Sequence, residues 1–195
     1  MGERSWRRAL VLGGTRSGKS EVAERLLAGE ASVRYLATGW RATMSGPRPG
    51  EGTVDPEWER RIDAHRARRP PHWETEETGT DPWRLPLLLA GADPDDVILV
   101  DELGTWVGGL LATADPYTPA PTSRMVEELG EAIRECPARL VMVSPEVGLA
   151  PVALTPAGRA FVDALGAVNI AVAGGCDAVV LVVAGIPVPV RGRLD

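Results

Sequence analysis

The sequence is poor in lysine, asparagine and glutamine. Its 195 residues include 20 arginines but only one lysine, Lys19, one asparagine, Asn169, and no glutamine. Ala, Gly, Arg, Pro and Val are abundant, which is typical of a GC-rich coding bias, and under that bias arginine replaces lysine wherever any cation serves. We therefore interpret Lys19 as a position where a planar guanidinium would fail.

Cysteine and histidine are also scarce. Cys136 and Cys176 lie far apart without a CxxC motif, and there are only two histidines, which disfavours a Cys/His zinc site and requires no disulfide. A net charge of −6 disfavours broad electrostatic binding to nucleic acid or anionic lipid. The longest apolar stretch, Ala178–Val190, is interrupted by glycine and proline and is too short to span a bilayer. We expect a cytoplasmic protein with no nucleic-acid partner and no membrane insertion.

Short apolar runs alternate with helical patterns along the chain. Five runs rich in β-branched residues predict strands at Ala9–Leu12, Val33–Ala37, Val97–Asp101, Leu140–Ser144 and Ala178–Ala184. Capping residues and amphipathic spacing predict helices at Lys19–Ala28, Pro56–Arg68, Ser123–Glu135 and Thr155–Ala173. Gly- and Pro-rich composition predicts loops at Ala42–Val54 and Thr113–Thr122. This order predicts one domain, residues 1–195, with a three-layer α/β fold and a mainly parallel sheet.

A phosphate-binding motif, GxxxxGK[ST], lies between the first predicted strand and the first predicted helix. Its glycines let backbone N–H groups curl around phosphate oxygens, and the helix directs its positive end at the same anion. Lys19 would reach the β- and γ-phosphates as a compact charge, and Ser20 would offer its hydroxyl to Mg²⁺. The predicted nucleotide-binding residues of this loop are Gly13, Gly14, Thr15, Arg16, Ser17, Gly18, Lys19 and Ser20. The motif predicts a fold like that of the P-loop NTPases.

A second ligand for the metal, a carboxylate, is predicted at the end of an apolar strand. Val97–Asp101 is a hydrophobic run that ends in an acid, the Walker B pattern, so Asp101 is the candidate Mg²⁺ ligand. Glu102 is the alternative ligand. A strand-end acid that only faces solvent has the same pattern.

A P-loop protein can be a nucleotide switch or an enzyme, and the scarcity of Asn and Lys helps to distinguish the two. Small GTPase switches read guanine with an NKxD motif, but Asn169 is followed by Ile170 and the one lysine lies in the phosphate loop. A Ras-like switch is therefore disfavoured, and small-molecule kinases and related transferases remain.

One histidine, His65, lies in a basic segment between Glu59 and Pro70. On spacing alone this is a solvated basic helix with an incidental histidine. In the functional interpretation, neutral imidazole acts as a nucleophile near neutral pH, and Arg66, Arg68 and Arg69 neutralise the attacked phosphate.

Almost the whole chain resembles the bifunctional adenosylcobinamide kinase / adenosylcobinamide-phosphate guanylyltransferase family of cobalamin biosynthesis. The most specific matching pieces are the GGTRSGKS loop and the run His65-Arg66-Ala67-Arg68-Arg69-Pro70 with Trp73 and Glu76-Glu77. Further pieces are Tyr35-Leu36-Ala37-Thr38, Leu99-Val100-Asp101 with Trp106, Glu146-Val147-Gly148, and Leu181 to Pro187. The sequence differs from the family pattern at four positions where the family usually has a polar residue, namely Gly109, Pro145, Ala167 and Ile170.

The resemblance implies two reactions on a corrinoid. The aminopropanol hydroxyl of adenosylcobinamide is phosphorylated with GTP or ATP, and GMP is then transferred from GTP to that phosphate, giving adenosylcobinamide-GDP and pyrophosphate. It implies that His65 carries GMP covalently, that Lys19 is the catalytic residue of the phosphate loop, and that the protein is a homotrimer. By the same match, further nucleotide contacts fall on Ala37, Thr38, Gly39, Arg66, Ala67, Arg68, Arg69, Glu77 and Asp101. His72 has no matching role and is expected at the surface.

Two other functions fit the residues alone. One is a P-loop kinase of another small metabolite, with His65 incidental. The other is a nucleotide-binding module without catalysis.

Overall fold

The computed structural model describes residues 6–38, 69–78, 81, 83–113, 122–151 and 153–194. The strands in this part of the chain are β1 Arg8–Gly13, β2 Arg34–Ala37, β3 Glu74–Glu77, β4 Val97–Asp101, β5 Arg139–Pro145, β6 Ala178–Val183 and β7 Ile186–Arg191. The helices are α1 Lys19–Leu27, α2 Arg84–Ala90, α3 Leu103–Thr113, α4 Thr122–Glu135 and α5 Pro156–Gly174.

All of these strands form one sheet in the order β3-β2-β4-β5-β1-β6-β7. Every neighbouring pair is parallel except β6 and β7, which form an antiparallel hairpin. The prediction of a mainly parallel sheet is confirmed. Because parallel strands point the same way, their carboxyl ends meet along one edge of the sheet.

Helices cover both faces of the sheet, which confirms the three layers. Successive residues of β1 alternate between two cores, since Leu10 packs with the residues beneath α2 to α5 while Ala9 and Val11 pack with those beneath α1. The central strands β1, β4 and β5 are buried on both faces, so they lack the alternating pattern of a half-exposed strand.

The five predicted strands are confirmed, with ends that differ by one residue at most. The three predicted helices that lie in the described part are also confirmed, and Thr155 caps α5 by accepting a hydrogen bond from the Gly158 amide at 3.0 Å. The predicted helix Pro56–Arg68 and the predicted loop Ala42–Val54 lie outside the described residues. The predicted loop Thr113–Thr122 does so except for its ends, which close α3 and open α4.

Four elements were not predicted, each for a reason of composition. β3 is Glu-Thr-Glu-Glu, and acidic residues are depleted in strands. β7 carries Pro187 and Pro189, which an edge strand tolerates. α2 contains Pro86, and α3 contains three glycines, which lower helix propensity. α3 forms because Leu103, Trp106, Val107 and Leu110 are buried along one face.

By length and composition, α5 is long and apolar enough to cross a bilayer, although the longest apolar stretch of the sequence lies elsewhere, at Ala178–Val190. One face of α5 buries Leu165, Val168 and Val172 against the sheet. The absence of membrane insertion stays a prediction.

Candidate functional site

The predicted site residues that the structure describes line the carboxyl edge of the sheet. In the sheet register, Ala37 at the end of β2 lies opposite Glu77 at the end of β3 and opposite Asp101 at the end of β4. The loop from Gly13 to Ser20 follows β1 at the same edge. These three strand ends and the loop therefore come together because the sheet is parallel, although they are far apart in sequence.

The phosphate loop needs glycine at particular positions. Gly18 has φ +90, a left-handed conformation that precedes the first turn of α1. A Cβ on Gly13 would lie 2.3 Å from the Ser17 hydroxyl oxygen and 3.0 Å from the Val182 carbonyl oxygen. The Ser17 amide donates to the Gly14 carbonyl at 3.2 Å, which closes the turn. The loop is a tight ring of backbone, as phosphate binding requires.

The turn of the β6–β7 hairpin supports this loop from the side. Ala184 and Gly185 form the two-residue turn, both with positive φ. The Gly185 amide donates to the Ser17 carbonyl at 2.8 Å. A Cβ on Gly18 would lie 3.2 Å from Gly185 Cα, so the two backbones approach closely. The predicted strand Ala178–Ala184 includes the first residue of this turn, and the sequence predicts no part in the site for it.

Two adjacent carboxylates at the end of β4 contact the loop in different ways. The Ser20 hydroxyl donates to Asp101 Oδ1 at 3.2 Å. Lys19 Nζ lies 3.2 Å from Glu102 Oε2, with side-chain exposures of 13% and 29%. The hydroxyl and carboxylate oxygens of Ser20 and Asp101 are hard donors of the kind Mg²⁺ prefers, so these two residues fit the ion. Glu102, the alternative ligand, is the counter-ion of Lys19.

Threonine hydroxyls fix the backbone between β4 and α3. Thr38 is 3% exposed, and its amide donates to the Asp101 carbonyl at 3.2 Å. The Thr38 hydroxyl donates to the Glu102 carbonyl and lies 2.6 Å from the Thr105 hydroxyl. These contacts hold the two carboxylates against the end of β2.

Tyr35 connects the metal-binding candidate to the end of the basic segment. Its hydroxyl donates to Asp101 Oδ2, and the Arg69 guanidinium carbon lies 3.6 Å from the centre of its ring. Burial and the nearby Asp101 charge raise the pKa of Tyr35, so the phenol stays protonated and remains a donor. The sequence places Tyr35 in a motif of the family resemblance but predicts no role for it. The available signal is one hydroxyl next to the apolar residues Leu36 and Ala37.

Asn169 has a structural place beneath the same edge. Its carbonyl oxygen accepts from the Ser144 hydroxyl at 2.6 Å, and its amide donates to the Pro145 carbonyl at 3.1 Å. The lone asparagine of the chain therefore ties α5 to the end of β5.

Part of the predicted site lies outside the described residues, namely Gly39, His65, Arg66, Ala67 and Arg68. Of the two histidines, His72 is described and is exposed, as expected. Both cysteines are free and buried, and burial raises the pKa of the Cys176 thiol to about 12. Neither cysteine is a candidate nucleophile.

Comparisons with known proteins agree on one family. Residues 9–190 match the family model described as cobinamide kinase / cobinamide phosphate guanyltransferase. The bifunctional adenosylcobalamin biosynthesis protein CobP of Pseudomonas aeruginosa is 40% identical over 95% of this chain and 98% of its own. The corresponding CobU proteins of Salmonella typhimurium and Escherichia coli are 36% and 34% identical, each over 93% of this chain and 98% of their own.

Two larger solved structures are similar only in part. An ATPase of a type III secretion system is 12% identical with a TM-score of 0.49, and the P4 protein of bacteriophage phi6 with ADP is 13% identical with a TM-score of 0.45. The matches cover 90% and 94% of this chain, which spans about half of each of those chains, 50% and 54%. At these TM-scores the likeness carries no argument.

Proposed function

The chain belongs to the cobinamide kinase / cobinamide phosphate guanyltransferase family, and from that premise we propose how its residues divide the two reactions. The protein is a transferase of cobalamin biosynthesis that phosphorylates adenosylcobinamide and then transfers GMP to the product. One observation supports the roles given to these residues: Lys19 contacts Glu102, and Ser20 contacts Asp101, in one cluster.

The first reaction uses the phosphate loop. The backbone amides between Gly13 and Ser20 bind the phosphates of GTP or ATP, and Lys19 moves from Glu102 to the β- and γ-phosphate oxygens. The substrate hydroxyl attacks the γ-phosphorus and loses its proton to solvent, and the bond from that phosphorus to the bridging oxygen breaks, so that GDP or ADP leaves. Ser20 and Asp101 would hold Mg²⁺, which would neutralise phosphate charge when bound.

The second reaction uses His65. A ring nitrogen of His65 attacks the α-phosphorus of GTP, and the bond to pyrophosphate breaks. An oxygen of adenosylcobinamide phosphate then attacks the guanylyl group, the P–N bond breaks, and neutral imidazole returns. Arg66, Arg68 and Arg69 stabilise the charge on the transferred group. The position of Arg69 supports this assignment, because its guanidinium lies over the ring of Tyr35, whose hydroxyl donates to Asp101.

We also propose a cytoplasmic homo-oligomer, a trimer by family resemblance. An assembly would cover Ile186, Val188 and Val190, which alternate along the edge strand β7 and are 46 to 65% exposed. Light scattering on the purified protein measures the assembly size, and Val188→Asp is expected to lower it. A monomer at micromolar concentration would contradict this proposal.

Covalent labelling tests the guanylyl-histidine directly. The full chain is incubated with Mg²⁺ and GTP labelled at the α-phosphate, and the protein is tested for acid-labile, base-stable label. We expect label in the wild type and in His72→Ala, and none in His65→Ala. The His72 variant is a matched control because it removes the other histidine of the chain.

The same variants separate the remaining alternatives. His65→Ala is expected to phosphorylate adenosylcobinamide, whereas Lys19→Arg is expected to lose nucleotide turnover. A folded, nucleotide-bound wild type that takes no label would reject the guanylyl-histidine. Phosphorylation of another metabolite in preference to adenosylcobinamide would favour the alternative kinase, and binding without turnover would favour a non-catalytic module.

A further inference from the structure

Tyr35 is a fully buried core residue whose hydroxyl reaches the candidate site. It is 0% exposed in the middle of β2, among the apolar residues beneath α1. Its partner in the parallel register is Leu99, and Asp101 lies two residues farther along β4 on the same face. The phenol can therefore reach from the core to the strand end where Asp101 meets the phosphate loop.

Within the described part of the chain, the two oxygens of Asp101 accept hydrogen bonds from different hydroxyl groups. Oδ2 accepts from the Tyr35 hydroxyl, whereas Oδ1 accepts from the Ser20 hydroxyl at 3.2 Å. A carboxylate held at one oxygen loses rotation about its last bond. The other oxygen is then directed at the position where Ser20 and a metal ion would meet.

Two further side chains lie close to the ring of Tyr35. The Arg69 guanidinium carbon lies 3.6 Å from its centroid, and the Trp73 ring lies 6.5 Å away, centre to centre. Arg69 is fixed in turn by Nη1, which donates to the Thr75 hydroxyl at 3.3 Å. Arg69, Tyr35, Asp101 and Ser20 therefore form a continuous series of contacts from the basic segment to the phosphate loop.

We propose that Tyr35 is a positioning residue for the metal site: its hydroxyl orients the Asp101 carboxylate toward Ser20, and Arg69 holds the tyrosine ring in place. The inference rests on the proposed function for the identity of the metal ligands. It assigns Tyr35 no contact with substrate. Its prediction is that loss of one hydroxyl weakens metal binding and leaves metal-free nucleotide binding intact.

Tyr35→Phe tests the inference because it keeps the ring and its stacking and removes only the hydroxyl. Mn²⁺ replaces Mg²⁺ as the probe, and its affinity is measured by electron paramagnetic resonance with a saturating non-hydrolysable GTP analogue. Removal of a hydrogen-bond partner behind a metal ligand typically costs 10- to 100-fold in metal affinity, so we expect a loss of about 10-fold. Binding of the analogue in EDTA is expected to stay within about twofold of the wild type.

Two control variants separate positioning from packing. Leu99→Val removes one methylene from the residue paired with Tyr35 and is expected to leave Mn²⁺ affinity unchanged. Asp101→Asn is expected to remove most of the affinity. Mn²⁺ affinity in Tyr35→Phe that matches the wild type, or an equal loss in Leu99→Val, would overturn the inference.

A second measurement does not depend on the folding of Tyr35→Phe. The chain has two tyrosines, so incorporation of 3-fluorotyrosine gives two ¹⁹F resonances, which Tyr117→Phe assigns. We expect saturating Mg²⁺ with the GTP analogue to shift the Tyr35 resonance, and no shift would overturn the inference. The two proposals can fail separately. If Mn²⁺ binding depends on Tyr35 but the protein does not phosphorylate adenosylcobinamide, the proposed function is rejected and the role of Tyr35 at the metal site is retained.

Discussion

Lys19 Nζ lies 3.2 Å from Glu102 Oε2, so the one lysine of the chain is paired with the acid that follows the metal-binding candidate. The pair is mostly shielded from water, with 13% and 29% of the two side chains exposed. In such surroundings the attraction is stronger than between two surface charges. A bound phosphate must therefore compete with Glu102 for the ammonium.

Glu102→Gln is expected to bind nucleotide more tightly. The substitution removes a competing negative charge and retains a side chain that can accept a hydrogen bond from Lys19. We expect about 3- to 10-fold tighter binding of a GTP analogue, equivalent to about 1 kcal/mol. Titration of a fluorescent analogue in EDTA measures it without metal effects. Weaker binding would mean that Glu102 instead holds Lys19 in its working position.

Gly13→Ala is expected to destabilise the protein, whereas Gly14→Ala is not. A Cβ on Gly13 would meet Ser17 Oγ at 2.3 Å and the Val182 carbonyl at 3.0 Å, while a Cβ on Gly14 would meet nothing within 4 Å in the described part of the chain. Overpacking of this kind costs about 1–3 kcal/mol. Urea unfolding without nucleotide compares the two alanine variants. Equal unfolding free energies would contradict the crowding at Gly13.

Asn169→Ala is expected to lower the free energy of unfolding by about 1–3 kcal/mol, because it leaves the buried Ser144 hydroxyl and the Pro145 carbonyl without this partner. The adjacent Ile170 is 77% exposed, so Ile170→Gln should change stability by less than about 0.5 kcal/mol. Chemical unfolding of both variants measures the contrast. A stable Asn169→Ala would show that its hydrogen bonds are replaced by water.

Asp177→Asn is expected to destabilise the protein more near neutral pH than in acid. Burial alone would raise the pKa of Asp177, but hydrogen bonds from the Arg8 and Arg7 amides, at 2.8 and 2.9 Å, and the two arginine charges lower it overall. A carboxylate with a lowered pKa stabilises the fold above its unfolded pKa of about 4, and this contribution is lost as the pH falls through the folded value.

Unfolding at pH 7 and at pH 3 measures the effect of Asp177→Asn. The difference in the free energy of unfolding between the variant and the wild type is expected to be smaller at pH 3 than at pH 7. Asp163→Asn on α5 removes the same charge from an exposed position and serves as the control. A difference that does not change with pH would contradict the role of the Asp177 carboxylate.

Local patterns predicted much of the fold. The strands β1, β2, β4, β5 and β6 are runs of apolar residues that only a sheet covered on both faces can bury, and α1 follows the phosphate loop at the expected residue. β3 and β7 escaped prediction because their glutamates and prolines are unfavourable in strands. They form because a neighbouring strand supplies the backbone hydrogen bonds.

The phosphate loop, the acid at the end of β4 and the family were readable from the sequence, since each depends on residues that are consecutive in the chain. The family membership is confirmed, and the roles of the individual site residues, His65 among them, stay predictions. The sequence could also single out Lys19, because an Arg-rich chain retains a lysine where a guanidinium does not fit.

Only the tertiary structure decided which residues meet. It paired Lys19 with Glu102 rather than Asp101, placed the Gly185 turn against the loop, and brought Tyr35 to Asp101 across 66 residues of sequence. These contacts depend on strand order and register, which are set by the packing of the whole sheet. A local motif specifies the groups that bind phosphate, whereas the fold specifies the neighbours that orient them.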